Sequence, residues 1–160
     1  MNIFILDSNI DRCARYHCDK HVIKMITEYN QILSTACFLH RIHIDGMYRP
    51  THINHPCVKW AVESKENFKY LLRLNIALTK EYTHRYGKIH AGERLIPLFK
   101  KILKFYPKGI GEMTDFPICV NKENLLGSDV ISEYRNFYIN DKARFCTWKN
   151  RNKPSWFKGD

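Results

Sequence analysis

The chain of 160 residues lacks several features, and each absence narrows the class of protein. No apolar run is long enough to cross a bilayer, so we expect no membrane-spanning helix. The opening run Ile3–Leu6 is too short for a secretory leader and meets Asp7 at once. None of the six cysteines belongs to a C-x-x-C pair. These absences together predict free thiols in a reducing, intracellular compartment.

Acidic residues are also few, because 16 Asp and Glu stand against 26 Lys and Arg, with a formal net charge of +10. Such an excess favours a polyanionic partner, most simply nucleic acid. A membrane surface fits less well, since no predicted helix has one basic face and one face of Leu, Phe and Trp. Aromatic residues often adjoin basic ones, as in Lys104-Phe105-Tyr106. This suits stacking on unpaired bases, although core aromatics with solvated neighbours explain any single pair equally well.

The length and the hydrophobic content of 44% predict one compact domain over residues 1–160. Apolar residues recur with helical spacing, so we expect a mainly α fold of three to four main helices with long irregular loops. The first helix either runs unbroken over 9–40, with a capping box at Ser8 and Asp11, or breaks near Cys18–Asp19. Residues 2–6 are predicted to form an extended arm or a strand, and residues 107–127 an irregular segment. Three further helices are predicted over 56–86, 93–106 and 128–149. The first of these begins at Pro56 and stops at Gly87, and the last is capped by Ser128 or Asp129.

A polar stripe on the first helix is the main functional signal. At about 3.6 residues per turn its members share one narrow face beside a broad apolar face. They are His17, His21, Lys24, Glu28, Gln31 and Thr35. Two imidazoles, an amine and a carboxylate bordering a core suit an active site with Glu28 as general base or electrostatic stabiliser. The alternative is a solvated face on which Glu28 only pairs with Lys24 at i,i+4.

Two groups of histidines and cysteines offer the atom types that bind zinc. They are Cys13, His17 and His21 at helical spacing, and His52, His55 and Cys57 in the run from Thr51 to Cys57. Neither spacing matches a familiar zinc motif. Core and interfacial histidines are therefore the favoured interpretation, and we assign no metal ligand from the sequence.

The two ends of the chain add further candidates. In the tail, Trp156 either stacks on nucleic acid or plugs the helical core, which we favour, while Lys158 contacts solvent or phosphate. At the start, an α-amino group has a reference pKa of about 7.7–8.0, so a substantial fraction is neutral near pH 7. Such an amine can form a Schiff base with a sugar aldehyde carbon.

Motifs near both ends resemble those of one family. Asp19-Lys20-His21-Val22 is similar to an Asp-Gln-His-hydrophobic motif, and Glu28 follows Asp19 by nine residues, as the family's catalytic glutamate does. Ala143-Arg144-Phe145 and Pro154-Ser155-Trp156-Phe157-Lys158 resemble the family's last helix and its Pro-Thr-Trp-Tyr-Lys run. The chain thus resembles the phage-type pyrimidine-dimer DNA glycosylase/AP lyases, the endonuclease V group. Its opening also looks like an uncharacterised viral branch of that superfamily.

The resemblance implies DNA repair by a monomer without a metal or other cofactor, in the host cytoplasm or at the site of viral DNA replication. The amine of Met1 would attack C1′ of a damaged nucleotide, displace the base and form an imine that permits β-elimination. Glu28 would stabilise the cationic sugar and move the C2′ proton, with His21 at the edge of the site. Double-stranded, damaged or modified DNA would be held and bent by basic residues, which we expect to be Arg12, Arg15, Lys20, Lys24, Arg144 and Lys158.

Two departures from the family pattern leave other functions open. Asn2 stands where the family's processed terminus is threonine, and Thr27 rather than arginine precedes Glu28. A related enzyme would act on a modified base without using the terminal amine. A third interpretation is a noncatalytic protein that binds nucleic acid or a host protein and holds a structural zinc ion.

Overall fold

A computed structural model describes residues 1–121 and 125–158, and over these residues the protein is mainly α-helical. The described part contains no strand and one isolated antiparallel bridge, between Ser64 and Gly109. The prediction of a mainly α fold is confirmed. The helices are α1 (Ile10–Tyr16), α2 (Asp19–Leu39), α3 (Pro56–Glu63), α4 (Lys65–Tyr86), α5 (Ile96–Phe105) and α6 (Val130–Phe137), with 3₁₀ turns at Ala91–Leu95 and Ala143–Phe145 and a π-helical turn at Tyr138–Lys142.

Three of these helices are the main ones, since α2, α4 and α5 have 21, 22 and 10 residues. Within the described ranges, no helix has both the length and the apolar character needed to cross a membrane. The irregular segment predicted over 107–127 is confirmed where it is described. Residues 122–124 of that segment, and residues 159–160 of the predicted domain, lie outside the described residues.

The first predicted helix is divided into α1 and α2. The break falls at His17–Cys18, which confirms the alternative that the sequence left open. The cap expected at Ser8 is wrong, because the side chain of Asn9 accepts the hydrogen bond from the Arg12 amide, at 3.0 Å. Asparagine is among the best N-cap residues, so the error is one of position along the chain.

The helix predicted over 56–86 is also divided, at Ser64. The backbone of Ser64 is extended, and its side chain caps α4 by accepting a hydrogen bond from the Asn67 amide. The sequence does not indicate this break, because helical periodicity continues on both sides of it. The outer ends were predicted correctly, since Pro56 lies in the first turn of α3 and Gly87 ends α4 with a left-handed φ of 62°.

The last helical segment ends earlier than predicted. Asp129, one of the two predicted cap residues, caps α6. The helical turns end at Phe145 rather than near Lys149. The chain leaves the helix there because it pairs with the start of α2. The Asp19 amide donates to the Thr147 carbonyl oxygen at 2.8 Å, and the Lys149 amide donates to the Asp19 carboxylate at 3.0 Å.

One hydrophobic cluster joins all six α-helices to the N-terminal segment. The segment Ile3–Leu6 is buried in it, with exposed fractions of 4% or less. Burying each large apolar side chain contributes about 1.5–3 kcal/mol to the free energy of folding. Trp156 packs against the same cluster and Phe157 is buried, which confirms the core role that the sequence favoured for the tail. The six cysteines are free, as predicted.

Gly109 allows a close approach at the break between α3 and α4. Its φ is 59°, and a Cβ atom there would lie 1.9 Å from the Glu63 carbonyl oxygen. We expect Gly109→Ala to lower the free energy of unfolding by more than about 2 kcal/mol, because left-handed strain adds to the overlap. Urea denaturation measures the loss.

Gly111→Ala is the matched control for this substitution. Gly111 also has a positive φ, of 85°, but a Cβ atom there meets nothing within 4 Å. The control therefore carries left-handed strain alone, of about 1–2 kcal/mol. Equal losses in the two variants would contradict the steric role of Gly109.

Candidate active site at the N-terminus

The buried N-terminal arm determines where the terminal amine lies. The Phe4 amide donates to the Tyr29 hydroxyl at 3.1 Å, and Arg135 donates from Nε to the Leu6 carbonyl oxygen at 2.9 Å. These bonds satisfy backbone groups that would otherwise be buried without partners. The arm is extended rather than a strand. Met1, at its end, is only partly buried and reaches the protein surface.

Three side chains from distant parts of the chain lie around the terminal amine. Cys57, at the start of α3, has its Sγ 3.9 Å from the Met1 carbonyl oxygen. The pKa of His55 is lowered, first by burial and then by the positive charges of the terminal ammonium and His52. The pKa of Cys119 is also lowered, mainly by its thiol hydrogen bond with Cys57 and further by the ammonium charge. The amine therefore lies within electrostatic reach of both groups.

Glu28, on α2, also lies near His55 and the terminal amine. Its carboxylate opposes the lowering of the His55 pKa, so the carboxylate and the terminal ammonium act on one imidazole. The Glu28 side chain is only 14% exposed, and its Oε1 lies 3.1 Å from Nζ of Lys24. The pairing with Lys24 foreseen in the alternative interpretation exists, but Glu28 is largely shielded from solvent. This arrangement can hold an amine and a carboxylate near one bound substrate.

His21 lies deeper than the polar stripe suggested. Its ring stacks on Phe4 at 4.6 Å between centroids and 6° between planes, and its Nδ1 is hydrogen bonded to the Tyr138 hydroxyl at 2.6 Å. The ring edge of Phe145 completes the enclosure at 5.7 Å. His21 therefore holds the N-terminal arm against α2 through Phe4.

His17 does not belong to the stripe, because it caps the end of α1 instead of continuing α2. Its Nδ1 donates to the Cys13 carbonyl oxygen at 2.8 Å, and the Tyr29 hydroxyl lies 3.3 Å from its Nε2. Cys13 donates its thiol proton to the Phe4 carbonyl oxygen. The first candidate zinc group is thus hydrogen bonded within the core, as the favoured interpretation held.

Burial of His17 makes stability depend on pH. Burial lowers its pKa from 6.5 to about 3, so the unfolded chain binds a proton between these values that the folded protein does not. We expect the free energy of unfolding to fall as the pH decreases from 6.5 toward 3, by at most about 1.4 kcal/mol per pH unit from this group. Urea denaturation across this range should show a shallower slope for His17→Gln. An unchanged slope would refute the assignment.

A cleft of about 630 Å³ opens between α1 and the C-terminal segment. Its lining consists of Arg12, Arg15, Tyr16, Asn150, Arg151 and Asn152. Arg12 is paired with Asp7 at 3.0 Å, and Arg151 with Glu81 at 2.9 Å. The structure therefore brings two predicted DNA contacts, Arg12 and Arg15, together and adds Arg151, which the sequence did not single out.

Lys20 and Lys24 precede Glu28 on the same face of α2. The spacing of four residues places successive members about 6 Å apart along the helix axis. The Lys24 side chain is 68% exposed, and Nζ of Lys20 lies 4.9 Å from the ring centre of Phe145. Both ammonium groups are therefore available to phosphates on the approach to Glu28.

The two other predicted DNA contacts lie near the end of the chain. Arg144 is exposed in the 3₁₀ turn, next to the Phe145 ring that Lys20 covers. Lys158 is exposed and follows Phe157, whose ring packs at 4.8 Å on Trp148. Phosphates can reach both side chains, and their part in DNA binding remains a prediction.

Cys119 is the member of the site that sequence reasoning missed. It lies in the irregular segment, where no periodicity or motif points to it, and it reaches Cys57 only through the fold, at 3.7 Å between sulfurs. His55 and Cys57 were noticed, but His52 was grouped with them in place of Cys119. His55 lies directly before Pro56 and caps α3 by accepting a hydrogen bond from the Cys57 amide at 3.1 Å.

One protein-family model matches this chain. The family model for pyrimidine dimer DNA glycosylase matches residues 1–93, which include the N-terminal arm, α1 to α4, Glu28 and His55. No curated protein and no solved structure matches the chain. The matched region covers more than half of the chain and carries the residues around the terminal amine, Cys119 excepted. This chain therefore belongs to the pyrimidine dimer DNA glycosylase family.

Proposed function

We propose that this protein is a DNA glycosylase with AP lyase activity that acts on pyrimidine dimers or modified bases in double-stranded DNA. Family membership supports the coarser part, DNA repair by a glycosylase. The observation that carries the proposal is geometric: the N-terminal arm ends beside Cys57, at 3.9 Å between the Met1 carbonyl oxygen and Sγ, and the shielded Glu28 carboxylate and the terminal ammonium both lie close enough to His55 to influence its pKa. A nucleophilic amine and a shielded carboxylate around one site are what the reaction requires.

The terminal amine of Met1 is the nucleophile. It attacks C1′ of the damaged nucleotide, the N-glycosidic bond breaks, and the electron pair leaves with the base, which takes up a proton. The sugar ring then opens and an imine joins C1′ to the terminal nitrogen. Glu28 stabilises the positive charge on the sugar and accepts the C2′ proton, and the 3′ phosphate leaves by β-elimination.

The remaining residues position the reacting groups. His21 is a positioning residue, because its contact with Phe4 holds the arm that carries the amine. Lys20 and Lys24 contact phosphates beside Glu28, and the arginine-lined cleft holds a further part of the backbone. Such contacts favour a bent duplex from which a nucleotide can be extruded. The enzyme acts as a monomer without a cofactor inside the cell, in the host cytoplasm or at the site of viral DNA replication.

Borohydride trapping tests the nucleophile. Reduction converts the imine into a stable amine, so wild-type protein and dimer-containing or abasic duplex should give a covalent adduct on a denaturing gel. Extending the chain by a few residues before Met1 should abolish the adduct. Lys24→Gln should retain it, because the lysine amine beside Glu28 is not the nucleophile in this proposal.

Each other outcome points to a different function. An adduct that survives the extension would assign the nucleophile to a side-chain amine, and loss of the adduct in Lys24→Gln at a DNA concentration that saturates the variant would assign it to Lys24. Base release without any adduct would favour a related enzyme that acts without the terminal amine. Salt-dependent DNA affinity without base release or strand cleavage would favour the noncatalytic interpretation.

A further inference from the structure

Three potential metal ligands meet beside the N-terminus. One ligand atom each from His55, Cys57 and Cys119 lies within 4.8 Å of the other two, which no other trio of His, Cys, Asp or Glu achieves within residues 1–121 and 125–158. Cys57 is buried, whereas His55 and Cys119 are partly exposed. The group is therefore both formed by the fold and open to an ion from solvent.

The distance between the two sulfurs fits a shared metal ion. Two thiolates bound at about 2.3 Å to one tetrahedral zinc ion lie about 3.8 Å apart. The Sγ atoms of Cys57 and Cys119 are 3.7 Å apart, whereas a disulfide requires about 2.0 Å. The two thiols are free. The spacing of the two sulfurs is therefore that of two thiolates on one zinc ion.

Three elements hold the ligands in place. Cys57 lies in the first turn of α3, where the hydrogen bond with Cys119 and burial raise the pKa of its thiol in the absence of a metal ion. Cys119 is held through its amide, which donates to the Tyr134 hydroxyl at 3.3 Å, while that hydroxyl donates to the Pro117 carbonyl oxygen at 2.8 Å. Tyr134 is fully buried in α6. A core tyrosine thus fixes the irregular segment against α3.

We propose that His55, Cys57 and Cys119 form a zinc site. Binding exchanges the two thiol protons for the metal ion, and the neutral imidazole supplies the third ligand. His55 Nδ1 now accepts the Cys57 amide proton, so ligation replaces this cap hydrogen bond. Three protein ligands leave the fourth tetrahedral position to a water molecule or another oxygen ligand. The zinc ion clamps the start of α3 to the segment that contains Cys119.

The proposed glycosylase and lyase steps need no metal ion, although the zinc ligands lie beside the terminal amine. Failure of the zinc site and failure of these steps are distinguishable, because metal content is measured without DNA. The second histidine and cysteine group of the sequence analysis is thereby revised: Cys119 replaces His52 as the third ligand.

Metal content and competition with a chromogenic zinc chelator test the proposal. Purified protein reconstituted with zinc should hold one ion per chain, and the cobalt form should show thiolate-to-cobalt charge-transfer absorption. Cys57→Ser combined with Cys119→Ser should lower zinc affinity at least tenfold and abolish that absorption. Because loss of buried Cys57 can disturb folding, Cys119→Ser alone, at the partly exposed position, should give the same direction of change with unchanged circular dichroism.

Cys146→Ser is the matched control. Cys146 is also partly exposed, and its thiol is hydrogen bonded to Cys18, but among the residues that the structure describes the pair belongs to no group of three ligands at this spacing. Zinc affinity should be unchanged in this variant. Folded wild-type protein that binds no zinc, or a loss in Cys146→Ser equal to that in Cys119→Ser, would overturn the proposed site.

Discussion

Glu28→Gln is expected to lower the rate of base release by about 100-fold or more while DNA affinity stays nearly unchanged. Glutamine keeps the size of the side chain but removes the carboxylate that, in the proposed mechanism, stabilises the cationic sugar and accepts the C2′ proton. The Glu28 side chain is 14% exposed, so water has little access to take over the stabilisation that its negative charge provides. Single-turnover kinetics on dimer-containing duplex measures the rate, and a binding titration at the same ionic strength measures the affinity.

Glu66→Gln is the control for loss of a helical ion pair. Glu66 lies on α4 and pairs with Lys69 at 3.0 Å, much as Glu28 pairs with Lys24, but it is well exposed. Its substitution should leave base release unchanged. If Glu28→Gln also released the base at the wild-type rate, Glu28 would be reduced to the surface ion pair that the sequence offered as its alternative role.

Arg85→Met is expected to lower the free energy of unfolding by up to about 3–5 kcal/mol, because it removes the central cation of a buried ionic network and leaves Glu81 with Arg151 alone and Asp19 with the Lys149 amide. The Arg85 side chain is fully buried and makes three bonds with its guanidinium group. It donates to Glu81 at 2.7 Å, to Asp19 at 2.9 Å and to the Arg15 carbonyl oxygen at 2.9 Å. Burial raises the pKa of Glu81, but hydrogen bonds from Arg151 and Arg85 lower it overall, so the carboxylate depends on these arginines.

Urea denaturation measures this loss, with Arg73→Met as the control. Arg73 is on the same helix, α4, but is exposed, so its substitution should change stability little. The loss of Arg85 should also slow DNA processing. Arg85 binds the Asp19 carboxylate, and this carboxylate holds the start of α2 to the C-terminal segment through the Lys149 amide. A small change in Arg85→Met would show that methionine packing replaces the ionic network, as occurs for some buried ion pairs.

Local signals predicted the parts of the fold that depend on a single helical turn. Pro56, Gly87 and Asp129 were correctly placed at helix ends, because capping depends on the backbone within a few residues. The family was also identifiable from the Asp19 motif and Glu28, since these lie within one helix. The break at Ser64 was missed because it is stabilised by pairing with Lys108–Ile110, far along the chain.

The candidate site was predicted only in part for the same reason. Glu28 and Lys24 lie at i,i+4, so their pairing follows from the helix repeat. His17 was misplaced because its helix ends one residue before it, and its imidazole turns into the core. Cys119 approaches Cys57 across 62 residues of sequence, and no local pattern reports such a contact.

The sequence by itself determined the helical class, the cationic character, the helix ends at Pro56, Gly87 and Asp129, and the order of His21, Lys24 and Glu28 along α2, because these depend on composition and on interactions within one or two turns. Only the tertiary structure decided that the N-terminal arm is buried, that the Met1 amine and Glu28 lie close enough to His55 to influence its pKa, and that Arg85 joins α4 to Asp19. These arrangements depend on packing between segments that are distant in sequence. Such contacts contribute to stability only once the whole core has formed.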